Sequence, residues 1–93
     1  MPMGKRKKTL AQIEEMQYEW HTPEAKRLLK EMGISERNWK IFSRHIGKAD
    51  GRAWTFGMLA DEEGISRPRA YQIFKKTQGI LAKYISRLDD DEK

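Results

Sequence analysis

Residues 55–76 read TFGMLADEEGISRPRAYQIFKK, with a helical pattern on either side of Gly64. Thr55 and Ser66 are good N-cap residues, because their hydroxyls can accept a hydrogen bond from a free backbone N–H in the first turn of a helix. Gly64 suits a tight turn, because glycine adopts positive φ without a steric penalty. We therefore predict a first helix through about Glu63 and a second helix that begins after Ser66, the pattern of a helix-turn-helix.

The two helices of this motif carry side chains that can hold them together. Ala60 is small enough for a close crossing, and apolar contacts are expected from Ile65, Ala70 and Ile73. Glu63 departs from the pattern, because an apolar residue is more common at its position. The opposite side of the second helix is left free to face a partner.

The second helix is strongly basic. Residues 67–88 contain six basic side chains and no acidic one, in a chain whose formal net charge is +5. Guanidinium, ammonium and amide groups can contact phosphates and base edges, and counterion release favours such a face near a nucleic-acid backbone. We interpret this segment as a surface for double-stranded DNA, with a merely solvated helix face as the alternative. The candidate contacts are Arg67, Arg69, Gln72, Lys75, Lys76 and Lys83.

The rest of the chain predicts three further helices and no sheet, so the expected fold class is all-α, a small helical bundle. The helices are predicted over residues 9–20, 23–32 and 36–46, from apolar residues at helical spacing and from caps and stops. The caps are Thr9, Thr22 and Ser35, and the stops are Gly33 and Gly47. We expect a core that contains Trp20, Trp39, Ile41, Phe42, Ile46 and Trp54.

We expect one helical domain over residues 9–88, with the helix-turn-helix at about 55–88. Residues 1–8 contain four consecutive cations and are predicted to form a disordered basic arm, which either follows DNA or only adds solubility. Residues 89–93 are predicted to form an acidic tail. The helix over 9–20 could pack on the body, pair two copies or bind another protein.

The composition argues against an enzyme, a metal site and a membrane protein. The chain has 93 residues and no cysteine, which allows one small domain and excludes disulfides and thiolate zinc sites. No nucleophile–base arrangement or phosphate-binding glycine loop is visible. We therefore expect no catalytic residue, no metal, no cofactor and no small-molecule substrate. Because no apolar run approaches the roughly 20 residues of a membrane span, we expect a soluble, cytoplasmic protein with no membrane partner.

Residues 34–76 resemble the fourth conserved region of bacterial sigma factors, the promoter-reading subunits of RNA polymerase. The stretch ISERNWKIFSR, residues 34–44, is similar to the first helix of that region, and residues 47–52 are similar to its glycine-rich loop. Residues 55–67 are similar to its threonine-led helix and glycine turn. The match continues in register at Arg69, Gln72, Ile73 and Lys76, and the whole resemblance covers about residues 23–88.

The resemblance implies a protein that binds the −35 promoter element in the major groove and docks on the flap of the RNA polymerase β subunit. It implies that Arg67, Arg69, Gln72 and Lys76 contact DNA, and it adds Thr55 and Tyr71 as candidate contacts. No segment resembles the sigma region that melts DNA, so a complete sigma factor is not expected. Small stand-alone relatives of this kind look like regulators from bacteriophages or mobile elements, which act at the nucleoid of a bacterial cell.

Two residues depart from the family pattern. Pro68 stands where a glutamate is common and Tyr71 where an arginine is common, which argues against the usual −35 sequence. Pro68 is sterically acceptable in the first turn of a helix, and Tyr71 could contact a phosphate or a thymine methyl group. The alternatives are a module that binds RNA polymerase or a sigma factor without reading DNA, and a phage packaging or replication protein that uses the same motif.

Overall fold

The computed structural model describes residues 5–48 and 51–91, and this part of the chain forms five helices and no strand. The helices are α1 (Lys5–Met16), α2 (Pro23–Met32), α3 (Glu36–Ile46), α4 (Phe56–Glu63) and α5 (Arg67–Asp91). The all-α prediction is confirmed. None of the described helices combines the length and the apolar content that a membrane crossing needs.

Helices α2 to α5 begin with side-chain caps. The hydroxyls of Thr22, Ser35, Thr55 and Ser66 each accept a hydrogen bond from the backbone N–H three residues later, at 3.1–3.2 Å. Helices α2, α3 and α4 end at Gly33, Gly47 and Gly64, all in the left-handed conformation. These local signals place the predicted boundaries correctly, because each cap satisfies a backbone group that the helix itself leaves free.

Helix α1 differs from its prediction at both ends. It begins at Lys5, so residues 5–8, expected in a disordered arm, are helical, and Thr9 lies inside the helix rather than at its N-cap. Lysine and arginine are good helix formers, and this propensity outweighs the repulsion between neighbouring cations. Residues 1–4 of the expected arm lie outside the described residues.

The other end of α1 is fixed by a tertiary contact. The helix ends at Met16 rather than at Trp20, and the Trp39 Nε1–H donates to the Met16 carbonyl oxygen at 2.7 Å. Lys48 Nζ lies 3.3 Å from a Glu14 carboxylate oxygen; this hydrogen bond and the charge of Glu14 raise the pKa of Lys48. Helix α1 therefore packs on the body of the domain, the first of the three roles considered for it.

Helix α5 continues beyond the predicted end of the domain. Residues 89–91, expected in the acidic tail, extend the helix to Asp91, and residues 92–93 lie outside the described residues. Leu88 is buried and anchors this end of the helix, and residues 89–91 contain no glycine or proline that would stop it. The helical domain is therefore longer than predicted at both ends.

The core consists of two clusters that share α5. The first lies among α1, α2, α3 and the C-terminal half of α5, with Met16 and Trp39 fully buried. The second lies among α3, α4 and the N-terminal half of α5, around Leu59 and Ala70. Because α5 belongs to both clusters, it holds the two halves of the domain in one piece.

Two expected core residues are more exposed than predicted. Ile46 is 38 % exposed and is the last residue of α3, next to the Gly47 stop. Trp54 is only partly buried; the Arg44 guanidinium carbon lies 4.4 Å from its ring centroid. Trp20 and Trp39 are buried as predicted.

Candidate nucleic-acid interface

Helices α4 and α5 are joined by a tight turn of three residues. Gly64 has φ of 67°, and the Ile65 N–H donates to the Ala60 carbonyl oxygen at 3.0 Å. Ala60, Ala70 and Ile73 are buried together in the second core cluster, with Ile65 packed against its edge. The contacts expected from the sequence between these helices are present. One face of α5 therefore packs against the core, and the opposite face is exposed.

Glu63, which looked out of place in the sequence, has a partner on α3. Lys40 Nζ lies 2.6 Å from a carboxylate oxygen of Glu63, whose side chain is only 10 % exposed. Next to this pair, Arg44 lies between Glu62, at 3.9 Å, and the ring of Trp54. These contacts of α3 with α4 hold α4 in place as a support for α5.

The basic side chains of α5 are exposed. At 3.6 residues per turn, Gln72 and Lys75 point away from the buried side defined by Ala70, Ile73 and Thr77. Lys75 Nζ donates to the Gln78 side-chain oxygen at 3.2 Å, a contact on the surface. All the basic and amide candidates are exposed: Arg67, Arg69, Gln72, Lys75, Lys76 and Lys83.

A row of cations, which we call the basic flank, follows one side of α5. Its members recur at spacings of seven, seven and four residues, which places them on the same side of a helix. At 1.5 Å per residue the row is about 27 Å long. Three of its members are candidate contacts from the sequence; Arg87 was counted among the six cations of residues 67–88 but not singled out as a contact, although the helical spacing could have found it. The basic flank consists of Arg69, Lys76, Lys83 and Arg87.

On the other side of α5, a groove of about 630 Å³ separates the N-terminal ends of α4 and α5. The Arg67 guanidinium packs against Gly57; a Cβ at that position would lie 3.0 Å from Arg67 Nε. The Tyr71 ring meets the Phe56 ring edge to face, with centroids 5.4 Å apart. We call this the α4–α5 groove; it is lined by Thr55, Phe56, Gly57, Arg67, Pro68 and Tyr71.

The structure therefore divides the predicted site residues among the α4–α5 groove, the basic flank and the outward side of α5. It brings Thr55, Arg67 and Tyr71 together around the α4–α5 groove. Lys83 belongs to the basic flank instead, about 24 Å from Arg67 along the helix. The Thr55 hydroxyl already caps α4 by accepting from the Met58 N–H at 3.1 Å, which leaves its proton and one lone pair for a partner.

His45 packs against Phe56, one of the residues that line the α4–α5 groove, and was not predicted to belong to the site. Its ring stacks on Phe56, with centroids 4.1 Å apart, and makes a T-shaped contact with the Phe74 ring, with centroids 4.6 Å apart. His45 Nδ1 lies 2.9 Å from the Trp54 carbonyl oxygen, which fixes the chain just before α4. Phe56 and Gly57 were missed as well, because contacts across a turn leave no periodic signal in the sequence.

Comparison with protein-family models, with curated proteins and with solved structures finds no match to this chain. Among the described residues, no group of three or more histidine, aspartate or glutamate side chains is arranged to hold a metal ion. The chemistry offered by α5 is that of exposed hydrogen-bond donors and positive charge. Such a surface suits a polyanion with hydrogen-bond acceptors along its edge.

Proposed function

We propose that this protein binds double-stranded DNA in a sequence-specific manner and regulates transcription, with α4, the Gly64 turn and α5 acting as a helix-turn-helix. The observation that carries the proposal is the exposed polar and basic side of α5, opposite the side that packs on the core. A helix held in this way by a shorter helix can enter the major groove of DNA. The six cations of residues 67–88, with no acidic residue among them, favour the approach of phosphates.

The side chains of α5 have different tasks in this proposal. Arg67, Arg69, Gln72 and Lys76 lie nearest the bases, where guanidinium groups pair with guanine and glutamine amides pair with adenine. Lys75 and Lys83 contact phosphates, which raises the affinity for any sequence. All six side chains are exposed, so each is available for a DNA contact.

We also propose that the domain is a relative of the fourth region of bacterial sigma factors and works in a bacterial or phage setting. The support is local: Ser35, Thr55 and Gly64 have the capping and turn roles that the resemblance implies. Pro68 lies in the first turn of α5, where proline is tolerated. The proposed DNA target differs from the usual −35 sequence because Pro68 and Tyr71 replace the residues common in the family.

The test is binding of the full-length protein to duplex DNA, measured by fluorescence anisotropy. A preferred duplex is selected from a random library and compared with its scramble at about 50 and 200 mM salt. We expect the preferred duplex to bind more tightly, and the affinity for both duplexes to fall steeply with salt. Failure to bind any duplex at low salt would overturn the proposal.

Two substitutions on α5 separate base reading from phosphate contact. Gln72→Ala is expected to reduce the preference for the selected duplex by about 1–3 kcal/mol, because one base contact is lost. Lys75→Ala is expected to weaken both duplexes alike and to make the salt dependence shallower by about one phosphate contact. The division of roles is wrong if both variants lose the same affinity on both duplexes.

The second candidate function is docking on RNA polymerase or a sigma factor without reading DNA. Apolar side chains at the surface favour it: Ile46 and Met58 are each 38 % exposed, and a protein partner could cover them. Binding to the purified β flap that persists at high salt, together with no affinity for DNA, would support this alternative. An apolar contact does not release counterions, so its affinity depends little on salt.

A further inference from the structure

We infer that the α4–α5 groove recognises the C5 methyl group of a pyrimidine in the major groove of bound DNA. This inference rests on the proposed function and names a feature of the DNA that the same surface would read. Thymine carries this methyl group, and 5-methylcytosine carries the same group at the same ring position. In both bases it projects into the major groove and offers only apolar contact.

The lining of the groove has the surface that a methyl group requires. Tyr71 is 49 % exposed, so about half of its surface is left for a ligand. Phe56 supports the ring from the α4 side, with the two ring planes at 84°. Phe56 is itself stacked on His45, so the Tyr71 ring is backed by further aromatic contacts.

Pro68 makes recognition by hydrogen bonds poor at this position. Its side chain has no donor or acceptor, and it lies beside Tyr71 in the lining of the groove. The only polar atom of the Tyr71 side chain is the hydroxyl at its tip. Discrimination by the rings of Pro68 and Tyr71 comes from shape and apolar contact, which is how a protein distinguishes thymine from a base without the methyl group.

The charge around the groove identifies DNA as its occupant. The Arg67 guanidinium lies at one edge, held against Gly57, where the absence of a side chain leaves it room. Lys75, one turn after Tyr71, adds a second exposed cation near this side of α5, whereas the basic flank lies on the other side. A positive edge beside an apolar surface matches a base methyl group next to a phosphate backbone, whereas an apolar peptide would gain nothing from the cations.

The test removes single methyl groups from the DNA. In the duplex selected for the full-length protein, each thymine is replaced in turn by deoxyuridine, which differs only by the methyl group. We expect a loss of about fourfold in affinity at one position in the site, the value for one buried methyl group. If the selected site has a cytosine at that position, 5-methylcytosine is expected to raise the affinity by about fourfold. These two arms identify which base supplies the methyl group.

Protein variants show whether Tyr71 is the residue that senses the change. Tyr71→Ala is expected to bind the thymine and deoxyuridine duplexes equally, whereas Tyr71→Phe keeps the fourfold difference because the ring remains. Tyr18→Ala is the matched control: Tyr18 is 55 % exposed but contacts Lys48, outside the groove, so this variant keeps the full difference. Circular dichroism confirms that each variant is folded.

Three results would overturn the inference. In the first, no deoxyuridine or 5-methylcytosine substitution changes the affinity of the unmodified protein by more than twofold. In the second, the fourfold difference persists in Tyr71→Ala. In both cases the protein still binds its selected duplex, so the proposed function stands without the methyl site. In the third, no duplex is bound, and the proposed function and the inference fall together.

Discussion

Glu63 brings a carboxylate into the contact between α3 and α4. Its side chain is mostly buried, and Lys40 provides the positive charge at 2.6 Å. A carboxylate removed from water is stable only when a charge or hydrogen-bond donor faces it. We therefore expect Lys40 to matter more for stability than a lysine in an exposed ion pair.

Lys40→Met is expected to lower the free energy of unfolding by about 1–3 kcal/mol. The methionine keeps much of the aliphatic volume but leaves the Glu63 carboxylate without its partner. Urea unfolding followed by circular dichroism measures the change.

Lys48→Met is the matched control for this prediction. Lys48 also pairs with a glutamate, Glu14, but the two side chains are 42 % and 57 % exposed. Water solvates both groups when the pair is broken, so we expect a clearly smaller loss. Equal losses in the two variants would show that the Lys40 pair is no stronger than a surface pair.

At the scale of the helices, α5 has a glycine near its middle. Gly79 lies inside a helix of 25 residues, and a Cβ at this position would meet no heavy atom within 4 Å. Glycine in a helix interior is less favourable than alanine because it loses more backbone entropy on folding.

Gly79→Ala is expected to raise the free energy of unfolding by about 0.5–1 kcal/mol. The corresponding rise in Tm is several degrees, and thermal unfolding measures it. Gly64→Ala is the opposite control, because Gly64 has φ of 67° and alanine is strained there. A loss of stability in both variants would contradict the prediction.

Most helix boundaries could be predicted because their signals are local. The sequence shows an N-cap hydroxyl before the first turn and a glycine after the last turn. These signals predicted where α2, α3 and α4 begin and end. Helix α1 was mispredicted because its end depends on Trp39, which lies 23 residues from Met16 in the chain. A contact at that distance leaves no periodic pattern.

The candidate site, like the helix boundaries, was predictable only where its signals are local in the sequence. Charge and helical spacing were sufficient to predict an exposed, basic side of α5. The α4–α5 groove was not predicted, because the contact of Phe56 with Tyr71 depends on how two helices pack across the Gly64 turn. The role of Glu63 was hidden for the same reason, since its partner lies on α3.

At the scale of the whole molecule, the basic flank of α5 runs along much of the domain. It is about 27 Å long, and the longest dimension of the molecule is 47 Å. Lys83 and Arg87 therefore lie well beyond the first turns of α5, which face the bases in the proposed complex. A DNA backbone that passes the C-terminal part of the flank would reach them.

Replacing Lys83 and Arg87 together by alanine is expected to weaken binding to preferred and scrambled duplexes alike. The slope of log affinity against log salt should become shallower by the amount that about two phosphate contacts contribute. Lys26→Ala with Lys30→Ala removes the same charge from exposed positions on α2 and should leave the slope unchanged. An unchanged slope in the Lys83 and Arg87 variant would confine DNA contact to the first half of α5.

Helix α5 is also longer than the molecule is thick. Its 25 residues span about 37 Å, while the two shorter dimensions of the domain are 21 and 20 Å. A rigid rod of this length converts a tilt of about 10° at one end into a displacement of about 6 Å at the other. Helix α5 thus acts as a lever arm. Because α1 and α2 pack on its C-terminal half, their position depends on the angle at which the first turns of α5 are held.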